Sequence, residues 1–123
     1  LTYCGQRGMT SECVKQVKEL FQTNSQLATQ VDEKMAGAVN RAVKALQSPT
    51  AEKGRPLLAE AIQGAGECFQ RWGLESDAMH EHLEFLRKAG ALAVKPTGSG
   101  GGGYALSLWD REPTDLKDAL PCF

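Results

Sequence analysis

The chain has 123 residues, of which 41% are hydrophobic and 24% charged, a size and composition typical of one globular domain. Its formal net charge of −1 gives no net electrostatic attraction to nucleic acid or to an anionic membrane. No apolar run approaches the length of a membrane span, so composition argues against a nucleic-acid binder and against a membrane-spanning protein.

The four cysteines are scattered through the chain and form no C-x-x-C pair. This spacing suits neither a zinc site nor a compact disulfide scaffold, and it favours a reducing, cytoplasmic setting. No signal peptide is evident, and the chain opens on Leu1 rather than methionine. We therefore expect a fragment without its natural N-terminus, folded as a single domain over residues 1–123.

The first predicted elements are a short edge strand and an amphipathic helix. The segment from Thr2 begins with β-compatible residues and is interrupted by Gly5 and Gly8. Thr10 or Ser11 is expected to cap the helix, because a hydroxyl oxygen can accept a hydrogen bond from its first turn. The apolar face of that helix would consist of Val14, Val17, Leu20 and Phe21.

A longer second helix follows. Asn24 or Ser25 opens it, and it ends before Pro49, since proline disfavours helix in the residue that precedes it. Apolar residues recur at steps of three and four, which predicts one face packed in the core. That stripe is Leu27, Val31, Met35, Val39, Ala42 and Leu46.

Pro49 and Thr50 are expected to begin the third helix, and Gly73 closes it. Gly64 and Gly66 weaken it by about 1 kcal/mol each relative to alanine, and close packing against a neighbouring helix is the expected reason. Its predicted core stripe is Leu58, Ala61, Ile62, Ala65, Phe69 and Trp72.

A fourth helix, two strands and a short terminal helix complete the pattern. Ser76 is a favourable N-cap for the fourth helix, and Gly90 suits the position after its end. Strands at 91–94 and 104–109 flank a glycine-rich loop, and residues 112–120 predict the terminal helix. This order of elements predicts an α+β fold, a small antiparallel sheet with several helices packed on one face.

Every residue from Gly98 to Gly103 except Ser99 is glycine. A flexible linker is one interpretation, but β-compatible runs flank the segment and too few residues follow Trp109 to form a second domain. We predict a hairpin loop in which glycine serves positive φ angles or the close approach of another group. Exposed N–H groups in such a loop form a concave binding site for anions, phosphate above all. Because the loop would face solvent, a Cβ at Gly102 should reduce activity more than stability.

The segment Lys95-Pro-Thr-Gly-Ser-Gly-Gly-Gly-Gly103 resembles the third conserved motif of the GHMP kinases. The nearest form is that of the mevalonate kinases, K-L-T-G-A-G-G-G-G followed by a short apolar strand. Pro96, Ser99 and Tyr104 depart from it, and a proline after the lysine is more typical of phosphomevalonate kinases. The resemblance covers essentially the whole chain and is strongest at residues 90–109.

This resemblance implies the C-terminal domain of an ATP-dependent kinase that phosphorylates an alcohol in the mevalonate pathway of isoprenoid biosynthesis. In that family an N-terminal domain, absent from this chain, carries the catalytic aspartate and lysine and binds most of the ATP and Mg²⁺. The implied partners are a small anionic, mevalonate-like alcohol, the N-terminal domain and, as a further candidate, a second copy of the chain. The isolated fragment is therefore expected to be inactive.

Two alternatives remain open from the sequence. Phosphomevalonate kinase or another GHMP kinase would share the motif. A non-catalytic binding or oligomerisation module with the same fold is an alternative of a different class.

By the same resemblance, the glycine loop lines the cleft between the two domains, near the ATP phosphates and the substrate. The implied loop residues are Thr97, Gly98, Ser99, Gly100, Gly101, Gly102 and Gly103. Lys95 and Arg7 are candidate substrate contacts, with a solvated lysine and a surface arginine as the alternatives. The Thr97 hydroxyl could equally satisfy the backbone of the loop itself.

No catalytic residue and no metal site is predicted within the chain. His80 and His82 lie two apart on a helix and so face different directions, which disfavours a shared metal. If the N-terminal domain is absent, part of the apolar helix surface should lie open where that domain would dock.

Overall fold

Four helices and a three-stranded antiparallel sheet are present in the computed structural model, which describes residues 1–114, 116 and 119. The predicted α+β class is confirmed. Of the terminal helix expected over residues 112–120, residues 112–114, 116 and 119 are described and none of them is helical; the other four lie outside the described residues. In the described part, no helix is both long and apolar enough to cross a membrane. In chain order the elements are β1 (Thr2–Tyr3), α1 (Thr10–Thr23), α2 (Ser25–Leu46), α3 (Ala51–Arg71), α4 (Asp77–Lys88), β2 (Ala93–Pro96) and β3 (Tyr104–Leu108).

The helix ends follow local sequence rules in most cases. Asn24, Thr50 and Ser76 each accept a hydrogen bond from the backbone N–H three residues later, as N-caps do. Gly73 and Gly90 follow the ends of α3 and α4 with positive φ angles of 71° and 108°. The residue after each of these glycines donates its N–H back to a carbonyl in the last turn, which completes a Schellman motif.

Helix α1 is the exception to the predicted caps. Thr10 is its first residue rather than its cap, and Met9 stands in the N-cap position without a side-chain hydrogen bond. The carbonyl of Met9 instead accepts from the N–H groups of Glu12 and Cys13, both at 3.2 Å. The expected Thr10 or Ser11 cap is therefore wrong, because the helix begins one residue earlier than the hydroxyl pattern indicated.

Small residues form the contact between α2 and α3. The buried positions of α2 are Ala28, Val31, Ala38 and Ala45. At the end where the two helices are connected, a Cβ on Gly54 would lie 2.5 Å from the Ala45 carbonyl oxygen, so glycine is required there. The predicted core stripe of α2 is only partly correct, because Val39 and Leu46 remain 55% and 75% exposed. Because α2 packs against α3 mainly through its alanines, Val39 and Leu46 face an open groove.

The sheet has the order β1-β3-β2, and both strand pairs are antiparallel. Side chains alternate between the two faces, so the paired residues Lys95 and Leu106 share a face. On the other face, Val94 and Ala105 form a buried cluster with three residues of α4. Those residues are Met79, Leu83 and Leu86.

Helix α3 contacts strand β2 at Gly66. A Cβ there would lie 3.1 Å from the Val94 carbonyl oxygen and 3.4 Å from the Lys95 Cβ. The predicted reason for this glycine was helix–helix packing, and that reason is wrong for Gly66, which allows helix-to-strand contact. At Gly64 a Cβ would meet the Ala38 Cβ at 3.7 Å, an ordinary contact.

Candidate functional site at the glycine loop

Residues 97–103 join β2 to β3 as a closed hairpin loop. Thr97 donates to the Tyr104 carbonyl through both its N–H, at 2.9 Å, and its hydroxyl, at 2.8 Å. The N–H of Gly100 donates to the Thr97 carbonyl at 3.3 Å. These bonds make the segment an ordered turn rather than a linker. The Thr97 hydroxyl satisfies the backbone of its own loop.

The loop is held against the segment that connects β1 to α1. Gly103 donates its N–H to the Gln6 carbonyl at 2.7 Å, and Cys4 donates to the Gly103 carbonyl at 2.9 Å. A Cβ on Gly102 would lie 2.6 Å from the Gly8 nitrogen, and one on Gly8 would lie 2.8 Å from the Gly101 carbonyl carbon. Two backbones therefore touch with no side chain between them.

This contact corrects the expectation of a loop that faces solvent. Gly100 and Gly102 are buried, and a Cβ on Gly100 would lie 2.6 Å from the Phe69 ring. Gly98, Gly100, Gly102 and Gly103 also have positive φ angles of 59°, 86°, 153° and 86°. Glycine is needed here for the backbone angle and for contact with the protein's own chain, so substitution at Gly102 affects folding directly.

Several N–H groups of the loop are unpaired. Within the described residues, the N–H groups of Gly98, Ser99, Gly101 and Gly102 have no hydrogen-bond acceptor. Unpaired N–H groups on one short loop of glycine-rich backbone are the donor set that an anion uses. Gly98 is exposed and Ser99 and Gly101 are half-buried, so these three can present donors to phosphate or carboxylate oxygens, whereas the nitrogen of Gly102 is buried against Gly8.

The two basic residues predicted near the loop have different surroundings. Arg7 is exposed beside Gly102, and its guanidinium makes no ion pair with the described residues. Lys95 is half-buried in a groove between the sheet and the helices α2 and α3. Its Nζ donates to the Pro96 carbonyl at 2.8 Å and lies 5.5 Å from the centre of the Phe69 ring. Burial lowers the pKa of Lys95 from its usual value.

An apolar groove adjoins the loop, which we call the loop groove. It has a volume of about 630 Å³ and runs along α1 to the end of α3. Helix α1 has no buried residue, so its apolar face lines this groove instead of a core. Within the described residues, the Nε1 atom of Trp72 is buried without a hydrogen-bond partner. The lining residues are Thr10, Cys13, Val14, Val17, Lys18, Phe21, Phe69, Trp72, Leu74, Gly98 and Ser99.

Sequence reasoning placed Trp72 in the core and did not find this groove. The spacing of Val14, Val17 and Phe21 correctly indicated an apolar helix face. That spacing does not reveal whether another element covers the face, because only the path of α1 decides it. Gln16 fixes the path by donating from its side-chain amide to the Gly73 carbonyl at 2.7 Å.

The described residues contain no group of three or more histidine, cysteine, aspartate and glutamate side chains that could hold a metal ion. His80 and His82 point to different partners. The first hydrogen-bonds to Glu75 at 2.6 Å and the second to the Thr2 hydroxyl at 2.7 Å.

Comparison with known proteins gives one consistent group of relatives. The chain is 31% identical to a mevalonate kinase of Pyrococcus abyssi over 119 residues, 96% of this chain and 36% of the relative. The corresponding enzymes of Pyrococcus horikoshii and Thermococcus gammatolerans are 30% and 27% identical over the same share. No protein-family model and no solved structure matches. The chain is thus similar along nearly all its length to archaeal mevalonate kinases, of which it spans only about a third.

Proposed function

We propose that the chain is the C-terminal part of an ATP-dependent kinase of the GHMP type, most like mevalonate kinase. Its substrate would be the alcohol group of a small anionic acid in isoprenoid precursor biosynthesis. The observation that carries the proposal is the ordered glycine loop with unpaired N–H groups. Similarity to mevalonate kinases over 96% of the chain supports it.

The chemistry of phosphoryl transfer explains what such a loop contributes. Negative charge is spread over the phosphoryl oxygens in the transition state, and positioned N–H donors stabilise it without reorganising. The N–H groups of Gly98, Ser99 and Gly101 would donate to phosphate or substrate oxygens. Because Gly102 and Gly103 are fixed against Gln6 and Gly8, these donors are held in place before a ligand arrives.

Arg7 would supply the positive charge on this side. Its backbone packs against Gly102, and its guanidinium can form a paired hydrogen bond with a carboxylate or phosphate. Lys95 would contribute to substrate binding only after leaving its contacts with Pro96 and Phe69. We therefore propose Arg7, in preference to Lys95, as the residue that pairs with the negative charge of the substrate.

ATP supplies the phosphoryl group in this class of reaction. The unpaired loop N–H groups would donate to the oxygens of one of its phosphate groups. Mg²⁺ finds no ligand cluster among the described residues, and no step of the chain's own chemistry is assigned to it. The carboxylate base and most of the nucleotide site would belong to the N-terminal part.

The test is a substrate panel on the complete protein with ATP and Mg²⁺, using mevalonate, phosphomevalonate and galactose. We expect ADP formation with mevalonate and none from the isolated 123-residue chain. Activity with phosphomevalonate alone would favour the phosphomevalonate kinase alternative. No turnover with any member of the panel would leave the non-catalytic module as the better description and overturn the kinase proposal.

A further inference from the structure

A second groove lies between α2, α3 and the sheet face that carries Lys95 and Leu106, and we call it the sheet groove. Residues 112, 113, 116 and 119, which follow β3, form another part of its lining. Its volume is about 930 Å³, within the range of small-molecule sites, and most of its surface is apolar. Part of α2's predicted core stripe lines it, which explains why Val39 and Leu46 are exposed. Its apolar lining includes Met35, Val39, Leu46, Ile62, Leu106 and Leu108.

Lys95 is the basic side chain in this lining. An ammonium group has three N–H donors, and the Pro96 carbonyl accepts one of them. Within the described residues no carboxylate lies within ion-pair distance of Lys95, although Glu112 lines the same groove. Burying an ammonium beside apolar side chains without a counter-ion is unfavourable, and a bound anion would remove that penalty.

We propose that the sheet groove binds an amphipathic anion, a carboxylate or phosphate monoester on an apolar chain. The head group pairs with Lys95, and the chain lies along α2 past Val39 and Leu46. A neutral hydrocarbon would cover the apolar wall but leave the Lys95 donors unpaired. A small polar anion would pair with Lys95 but leave the wall exposed, so the groove favours a ligand with both parts.

The probes are dodecanoate and dodecyl phosphate, each below its micelle concentration, with dodecanol and dodecyltrimethylammonium as controls. Binding is measured by titration calorimetry on the 123-residue chain and on the complete protein. The same titration followed by ¹H–¹⁵N spectra locates the ligand. We expect both anions to bind and to shift the Leu106 and Leu108 amides, with dodecanol weaker and the cation weakest. The stronger of the two anions identifies the head group.

Lys95→Met keeps the length and apolar stem of the side chain and removes its charge. It should weaken anion binding at least tenfold and leave dodecanol binding unchanged. Lys18→Met is the matched control, because Lys18 lines the loop groove rather than the sheet groove. If Lys95→Met fails to fold, Val39→Glu takes its place as the test. This variant puts a negative charge into the groove at an exposed position and should weaken binding of both anions.

Three results would overturn the proposal. Equal anion affinity in the wild type and Lys95→Met would reduce the groove to a non-specific apolar surface. Amide shifts confined to α1 and Gly98 would place the ligand in the loop groove. Binding by the isolated chain but not by the complete protein would show that another part of the protein covers the sheet groove.

Discussion

Gly102 and Gly98 both have positive φ angles, but only Gly102 also lies against another stretch of backbone. At Gly98 the φ of 59° is the restriction, and a Cβ would meet nothing within 4 Å. At Gly102 the Gly8 nitrogen would lie 2.6 Å from the Cβ. Gly98→Ala should therefore lower the free energy of unfolding by about 1 kcal/mol, the strain of a left-handed alanine. Gly102→Ala should lower it by at least about 3 kcal/mol, because backbone must move.

Urea unfolding of the 123-residue chain measures both losses. Equal losses would mean that the backbone angle alone requires glycine and that the contact between loop and Gly8 is easily displaced. In that case the loop donors would not be held in advance of binding.

Arg7 gives a charge prediction at the same site. Its side chain is exposed and makes no ion pair within the described residues, so Arg7→Ala should leave the melting temperature within about 1 °C. In the complete protein it should raise the KM for an anionic substrate about tenfold, equivalent to about 1.4 kcal/mol of binding. Arg41→Ala, on the distant α2 surface, is the control and should leave KM unchanged. An unaltered KM in Arg7→Ala would exclude Arg7 as a substrate contact.

The glycine run shows how far residue patterns reach. It predicted either positive φ angles or the close approach of another group, and the structure shows both. The pattern could not say that the approaching groups are Gly8 and Phe69, because these come from distant parts of the sequence. It also could not separate the glycines that pack from those whose N–H groups stay unpaired.

At the scale of elements, the α2–α3 pair depends on one glycine and tolerates change at another. Gly37 lies in α2 with nothing within 4 Å of a Cβ, so Gly37→Ala should stabilise the chain by about 1 kcal/mol through helix propensity. Gly54→Ala should destabilise it by about 2 kcal/mol or more, since the Cβ would lie 2.5 Å from the Ala45 carbonyl oxygen. Thermal unfolding of both variants checks the opposite signs. Stabilisation by both would mean that α3 shifts readily along α2.

Helix α4 is tied to β1 by the hydrogen bond between His82 and Thr2, and the burial of His82 makes stability depend on pH. Burial lowers the pKa of His82 below its usual 6.5, so the unfolded chain takes up the proton first. The contribution of His82 is complete above about pH 6.5 and is lost as the pH falls toward the folded-state pKa.

The urea midpoint should therefore fall between pH 8 and pH 5.5, and the fall should be smaller in His82→Gln. An equal fall in both proteins would mean that other groups cause it. Thr2→Val should separately cost about 1 kcal/mol at pH 8, where the histidine is neutral.

Helix ends were predictable and helix faces were less so. Asn24, Thr50 and Ser76 act within one turn of their own position, so local sequence is sufficient. The face of α2 depends on which side meets α3, and a seam of alanines allows a closer approach than its larger residues would. The spacing of apolar residues was judged by the large side chains. The predicted core stripe therefore contained Val39 and Leu46 rather than Ala38 and Ala45.

For the whole molecule, the order of elements was enough to predict the α+β class, because helices and strands are segregated along the chain. The grooves were not predictable in position, since each is bounded by elements far apart in sequence. Val14, Phe21 and Val39 are exposed apolar side chains on the helices, and their role as the docking surface of an N-terminal domain stays a prediction.

The open face of α1 predicts self-association of the isolated chain. Its Val14 and Phe21 side chains are exposed on a helix that contributes nothing to the core. Sedimentation at about 100 µM should give a mass above the 13.3 kDa of one chain. The double variant Val14→Lys, Phe21→Lys should sediment as a monomer, whereas Val43→Lys, an exposed position on α2, should not change the association. A monomeric wild type would show that the exposed apolar face of α1 does not cause self-association.

The contact between Gly8 and Gly102 also sets an order of assembly during folding. It joins opposite ends of the sequence, whereas α2 and α3 are neighbours along the chain and can pair through a short connection. Closing a long stretch of chain costs more entropy than closing a short one, so we expect the helix pair to form early and the loop contact late. Substitutions at Gly8 or Gly102 should then speed unfolding and leave the refolding rate almost unchanged. During synthesis the donors of the glycine loop would take up their final positions only after β3 has emerged and the N-terminal strand has paired with it.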